Sequence, residues 1–303
     1  MNDQADSLRK AIQKLSTVKA AETFAPKMNF RAKVITVTSG KGGVGKSNIS
    51  VNLAIALSEI GCRPLIIDAD IGLANDDVLL GINPRYRLVD VLNGEKSLGD
   101  IVCTGPCGVG LITGGSGLDE LARMEGGKIG SVLSGLTELD GRFNVFIIDT
   151  GAGISETIIS MAAAADEAIV VTTPEPTSVT DAYVLIKSIV YRCQGLPVRL
   201  VVNKAENEAE AADIMAKLTR VTGKFLDLEL MKLGYILNDP LVVRAVKQQQ
   251  PFLLGFPHSQ PSRRIREIAA RLAEGKTYAP PEKGRGLSGF FDGIVKLVNV
   301  QLK

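Results

Sequence analysis

"SGKGGVGKSN", residues 39–48, places two lysines in one glycine-rich run, and its surroundings decide the fold. Residues 40–47 fit G-x-x-x-x-G-K-[ST], with the β-branched run 34–38 before them and a helical stretch, 47–60, after them. Strand, glycine loop and helix in that order build an anion cradle. The glycines let backbone N–H groups wrap phosphates, and the helix N-terminus adds positive potential. Lys46 then reaches the β and γ oxygens, and the Ser47 hydroxyl is the candidate ligand of Mg²⁺. Gly40, Lys41, Gly42, Gly43, Val44, Gly45, Lys46, Ser47 and Asn48 form the expected nucleotide-binding loop.

Working outward, short apolar runs alternate with helical stretches: "KVITVTS", "RPLIIDAD", "VGLITGG", "FNVFIIDT", "EAIVVTTP", "VRLVVNK" and "KLGYIL". Near-continuous apolar strands separated by helices (47–60, 155–165, 178–192, 208–222) predict an α/β fold. Its sheet is mainly parallel and twisted, with helices on both faces. Phosphoryl transfer also needs carboxylates at strand ends. Asp149 follows the run 145–148 and is expected to hold Mg²⁺ through water. Asp68 and Asp70 end another run, at a spacing that puts both on one strand face. Asp68 is assigned to the metal shell and Asp70 to orienting the attacking water. Lys41 is in excess for a single loop that already has Lys46: it is either a solvated loop lysine or a cation that crosses to a neighbour's nucleotide, as an arginine finger does.

The chain has 303 residues with 35 Lys and Arg against 33 Asp and Glu, which is not the strongly basic balance of a dedicated nucleic-acid binder. No run reaches the ~18 apolar residues of a membrane span, and "MNDQADSLRK" is too polar for a secretory signal, so a cytoplasmic chain is expected. Cys62, Cys103, Cys107 and Cys193 form no C-x-x-C pair, and His258 has no second histidine with which to build a metal site.

Five segments are expected. Residues 1–20 are an amphipathic helix, with Leu8, Ile12 and Leu15 at helical spacing, and 21–32 are a linker. Residues 33–276 are the nucleotide-binding domain and 277–286 a second linker. Residues 287–303 place Leu287, Phe290, Phe291, Ile294, Val295, Val298 and Leu302 on one helical face, with Lys283 and Arg285 nearby. That pattern suits an interfacial helix on an anionic membrane and equally a helix docked on its own domain.

K-G-G-x-G-K-[ST] with the leading lysine resembles the deviant Walker A motif of the MinD/ParA-type ATPases, over roughly residues 33–275. The resemblance implies a P-loop NTPase that hydrolyses ATP with Mg²⁺ as an ATP-sandwiched homodimer. Lys41 would act in trans, Lys46 and Ser47 in cis, Asp70 in the first switch and Asp149 in the second. It further implies that Asn203 recognises adenine and that the segment around Asn238, Asp239 and Pro240 covers the base. "DADIGLANDDVLLG", "TTPEPTSVTDAYVLIK" and "KLTRVTGKFLDLEL" are most similar to the branch of flagellar-number regulators called FlhG or FleN. That likeness implies an N-terminal activator motif, with Asp3, Gln4, Leu8 and Arg9 contacting the partner GTPase FlhF. Flagellar switch (C-ring) proteins or the flagellar master transcription regulator are further implied partners. The implied location is the inner face of the cell membrane in the ATP-bound state. A ParA-like ATPase binding DNA non-specifically, with Arg263, Arg264 and Arg266 as its basic face, and a MinD-like division-site regulator are the alternatives. An iron–sulfur ATPase is disfavoured because no cysteine lies between Cys107 and Cys193.

Overall fold

Strand β1 (Lys33–Ser39) runs up the middle of an eight-stranded sheet whose order is β3-β4-β2-β5-β1-β6-β7-β8. The computed structural model describes residues 32–70, 75–114, 129–273 and 286–299, without the side chains of 129–134, 137 and 295–299. The other strands are β2 (Pro64–Ala69), β3 (Cys103–Thr104), β4 (Gly110–Thr113), β5 (Val145–Ala152), β6 (Glu167–Thr172), β7 (Val198–Ala205) and β8 (Met231–Leu237). Every neighbouring pair is parallel except β3 with β4. The seven apolar runs predicted from sequence form β1, β2 and β4 to β8. Two-residue β3 has too little pattern to be read in advance.

Alternation along β1 shows why both faces of the sheet must be covered. Ile35 and Val37 pack with α1 (Lys46–Glu59) and, through Ile265, Ile268 and Leu272, with α10 (Gln260–Ala273). Val34, one residue before Ile35 and so on the alternate face, points the other way to a cluster with Phe146, Ile148, Leu136 and Leu139. On that second face lie α4 (Ile129–Arg142), α5 (Glu156–Ala164), α6 (Pro176–Arg192) and α7 (Glu208–Leu226). Short helices α2 (Asp76–Leu80), α3 (Leu88–Leu92), α8 (Pro240–Lys247) and α9 (Phe252–Gly255) complete the connections.

The C-terminal helix α11 (Gly286–Asn299) begins one residue before the predicted boundary and packs against α4, α5 and β1. Leu287, Phe290, Phe291 and Ile294 are buried in the second-face cluster. Of the two environments that its sequence fits, the described monomer adopts the docked one. Val295 and Val298 lie outside the described side chains, as Leu302 and the whole N-terminal segment with Asp3, Gln4, Leu8 and Arg9 lie outside the described residues.

The chain leaves β1 toward β2 and β4, returns to β5, and then continues on β1's other side through β6, β7 and β8. The strand order therefore reverses beside β1, and the carboxyl ends of β1 and β5 form the crevice where open α/β sheets take ligands.

Candidate nucleotide-binding and switch site

The glycine loop fills that crevice. Gly45 is the N-cap of α1 at φ 90, and an ideal Cβ there would lie 2.4 Å from Asn203 Nδ2. At Gly40 the same atom would meet the Asp181 backbone on α6 at 2.5 Å. Both positions therefore require glycine. No acidic residue occupies the first turn of α1, which leaves its N-terminal potential positive.

Lys46 and Lys41 have separate environments. Lys46 is buried, and its Nζ donates to Asp149 Oδ1 on β5 at 3.0 Å; Ser50 Oγ donates to the same oxygen at 2.8 Å. Lys41 lies at the surface, where its Nζ meets Glu175 Oε2 at 2.5 Å and Thr177 Oγ1 at 2.9 Å, at the start of α6. That ammonium holds the Glu175 carboxyl below its ordinary range. Neither partner of Lys41 was legible in the sequence, since both lie more than 130 residues away.

The end of β7 holds the loop from behind. Asn203 Nδ2 donates to the Val44 carbonyl and Lys204 Nζ to the Gly43 carbonyl, each at 2.7 Å, with Lys204 at φ 57. Asn203, read as an adenine contact, therefore has its amide directed at the loop backbone. Asp239 caps α8 by accepting from the Leu241 amide at 2.8 Å, and Asn238 N donates to the Ala205 carbonyl, so this segment sits beside Asn203. Ser47 and Asn48 are half-buried on the first turn of α1.

Three carboxylates gather beside Lys46. Asp68 pairs in register with Asp149, and its oxygens accept from the amides of Asp70 at 3.1 Å, Asn75 at 3.0 Å and Asp76 at 3.2 Å. Burial still pushes its carboxyl up to about 6, with the neighbouring Asp149 adding to the effect and the three amides opposing it. Because β2 ends at Ala69, Asp70 lies beyond the strand. Its carboxylate faces Gly151, where an ideal Cβ would sit 3.7 Å from Oδ1. Asp76, which carries no motif signal of its own, is wholly buried and, among the described residues, has no hydrogen-bond partner for either carboxyl oxygen. Burial first, then Asp149 and Asp68, drive its carboxyl well above the ordinary range against the pull of Lys46.

These residues fit a magnesium nucleotide. Among the described residues, buried Asp149 Oδ2 has no partner, and the Lys46 ammonium beside it is paired with the other oxygen, Oδ1. On the late basic helix, Arg264 pairs with Glu208 and Glu267 and lies over the Tyr235 ring, while Arg266 pairs with Glu59. Arg263 is exposed. Among the described residues, no helix is long and apolar enough to cross a membrane.

Comparison with known proteins agrees with this geometry. A family model described as the CobQ/CobB/MinD/ParA nucleotide binding domain matches residues 35–252. The antiactivator FleN of Pseudomonas aeruginosa is 39% identical over 260 residues, covering 86% of this chain and 91% of that protein. The flagellum site-determining protein YlxH of Helicobacter pylori is 34% identical over 304 residues, covering 98% and 99%. Among solved structures, a chain of the MinC:MinD cell division protein complex of Aquifex aeolicus superposes with a TM-score of 0.66 at 25% identity, covering 84% of this chain and 99% of that one. The central loop, the strand order and these likenesses lead to one assignment: the chain belongs to the CobQ/CobB/MinD/ParA nucleotide-binding family, as a P-loop ATPase of the MinD/ParA type.

Proposed function

We propose that this chain is an ATP-dependent dimerisation switch that regulates flagellar number or placement, with Mg²⁺-dependent hydrolysis returning it to the monomer. The division of labour between its two loop lysines carries this reading: Lys46 is buried against Asp149, while Lys41 is held at the surface by Glu175 and Thr177. A surface cation at the mouth of the loop is suited to a second copy's nucleotide.

Within one protomer, the loop amides and the α1 N-terminus receive the phosphates, and Lys46 moves from Asp149 to the β and γ oxygens. Mg²⁺, when bound, neutralises charge on those oxygens. Ser47 would hold it directly and Asp149 through water, with Asp68 accepting from the amides of Asp70, Asn75 and Asp76 beside them. Asp70 orients the attacking water, whose oxygen bonds to the γ phosphorus as the bond to ADP breaks. Lys41 of the opposite copy stabilises the charge that develops. Asn203 and the Asn238–Asp239 segment flank the base.

Release of α11 upon dimerisation would present Leu287, Phe290, Phe291 and Ile294 to an anionic membrane, on the inner face of the cell membrane. Two such helices on one dimer bind together far better than one. Similarity to an antiactivator and to a flagellum site-determining protein supports the flagellar assignment. FlhF is the partner proposed for residues 1–20, with flagellar switch proteins and the flagellar master transcription regulator as further partners. The ion pairs of Arg264 and Arg266 draw charge away from the DNA-binding alternative.

Specific ATPase activity measured against protein concentration tests the switch. Wild type should rise as dimer accumulates. Lys41→Ala should bind a fluorescent ATP analogue normally yet lose about 100-fold or more in turnover, in line with charge-finger losses. Normal turnover in folded Lys41→Ala refutes the cross-dimer role.

A further inference from the structure

One feature of the crevice is unexplained by loop, switches or dimer. On the α1 face of the sheet, Thr113, Asp68 and Asp149 stand side by side in register on β4, β2 and β5. Adjacent strands lie about 4.8 Å apart, so these three side chains form a continuous polar row. Asp76 is tied to that row by its own amide, which donates to Asp68 Oδ2 at 3.2 Å. Its side chain is 0% exposed, and Oδ1 and Oδ2 both lack a partner. Asp149 Oδ2 and Thr113 Oγ1 are buried without partners in the same row.

A carboxylate buried in this way is strongly disfavoured unless something donates to it. The nearby cation, Lys46, is bonded to Asp149, and the other charged neighbours of Asp76 are Asp149, Asp68 and Asp77. Among the described residues, Asp76 therefore has no donor for either carboxyl oxygen, and an apolar residue would fill this site at less cost. What the row fits is a dication that carries its own O–H donors. Mg²⁺ gives up its waters reluctantly and keeps several when it binds beside phosphates.

We infer that Asp76 is an outer-shell acceptor for the water sheath of the Mg²⁺ held at this site, strengthening metal binding without touching the metal. The inference rests on the P-loop reading above and adds to it a residue on α2, just beyond the segment that follows Asp70. Outer-shell partners of this kind typically change metal affinity by about 10–100-fold.

The test uses the full chain and mant-ADP, titrated with Mg²⁺ from an EDTA-treated start. In Asp76→Asn, the Mg²⁺ concentration that gives half of the metal-dependent tightening should rise about 10–100-fold. Affinity for mant-ADP in EDTA should stay at the wild-type value. Asp76→Leu, which keeps the site filled with apolar volume, should show the same shift and guards against a folding defect in either variant. An unchanged Mg²⁺ midpoint in a folded variant overturns the inference, as does an equal loss of affinity with and without Mg²⁺. Failure of wild type to bind mant-ADP at all would instead sink the nucleotide-site reading itself.

Discussion

Replacing Asp140 with alanine should loosen the C-terminal helix without altering any residue that would enter a membrane. In the docked state Leu287, Phe290, Phe291 and Ile294 are 0%, 1%, 5% and 4% exposed. At about 1.5–3 kcal/mol for each fully buried side chain, docking is worth at most about 6–12 kcal/mol. A bilayer interface buries the same side chains, so the apolar contributions nearly offset each other, and contacts found only in the docked state decide the balance. Asp140 makes such a contact: its Oδ1 accepts the Leu287 amide at 3.0 Å, a carboxylate at a helix N-terminus. Gly286, at φ 65, permits this approach, since an ideal Cβ there would lie 2.8 Å from Asp140 Oδ2. Losing a charged cap removes about 1–2 kcal/mol, which raises the undocked population about 5–30-fold. The assay is co-sedimentation with vesicles containing anionic phospholipid, without ATP, alongside hydrogen exchange of the α11 amides. Asp140→Ala should exchange faster in α11 and bind vesicles more strongly by a similar factor. Faster exchange with unchanged vesicle binding would refute the docked-helix argument.

Other expected outcomes follow from the same structure. The Asp68 carboxyl, raised from 3.8 to about 6, binds its proton more tightly in the folded chain than in the unfolded one. Its stabilisation is therefore complete below about pH 4 and is lost as pH rises through 6, a change of about 3 kcal/mol by this group alone. The nucleotide-free protein should accordingly melt at a higher temperature at pH 5 than at pH 8, and the reverse order would contradict the burial argument. A peptide of residues 1–20 should stimulate the GTPase of cognate FlhF, and Gln4→Ala in that peptide should abolish the effect. No stimulation would leave the ATP switch standing but remove FlhF as the partner of this segment.

The glycine loop was legible because its constraint is local: a motif eight residues long, a strand before it and a helix after. Asp149 and Asp70 could be found for the same reason, each standing at or just past the end of an apolar run. Asp76 could not, since Asp76 and Asp77 are identical in sequence, and only the seating of α2 against the sheet buries one and leaves the other partly exposed. The apolar face of α11 was evident from its spacing, but its position over α4 and α5 depends on Ala164 and Asp140, residues with no sequence signal of their own. Asn203 shows the opposite difficulty. The resemblance assigns it to the base, its place after a strand carries no signal of its own, and in the folded chain its amide donates to the Val44 carbonyl.

The central claim is that ATP joins two copies through Lys41, and molar mass in solution tests it most directly. Light scattering on a size-exclusion column, with Mg²⁺ and ATP, should report twice the 32.2 kDa chain mass for Asp70→Ala, which binds ATP but cannot clear it. Adding Lys41→Ala to that variant should return the mass to that of one chain. A monomer in Asp70→Ala with ATP demonstrably bound, or a dimer undisturbed by the loss of Lys41, would contradict the account.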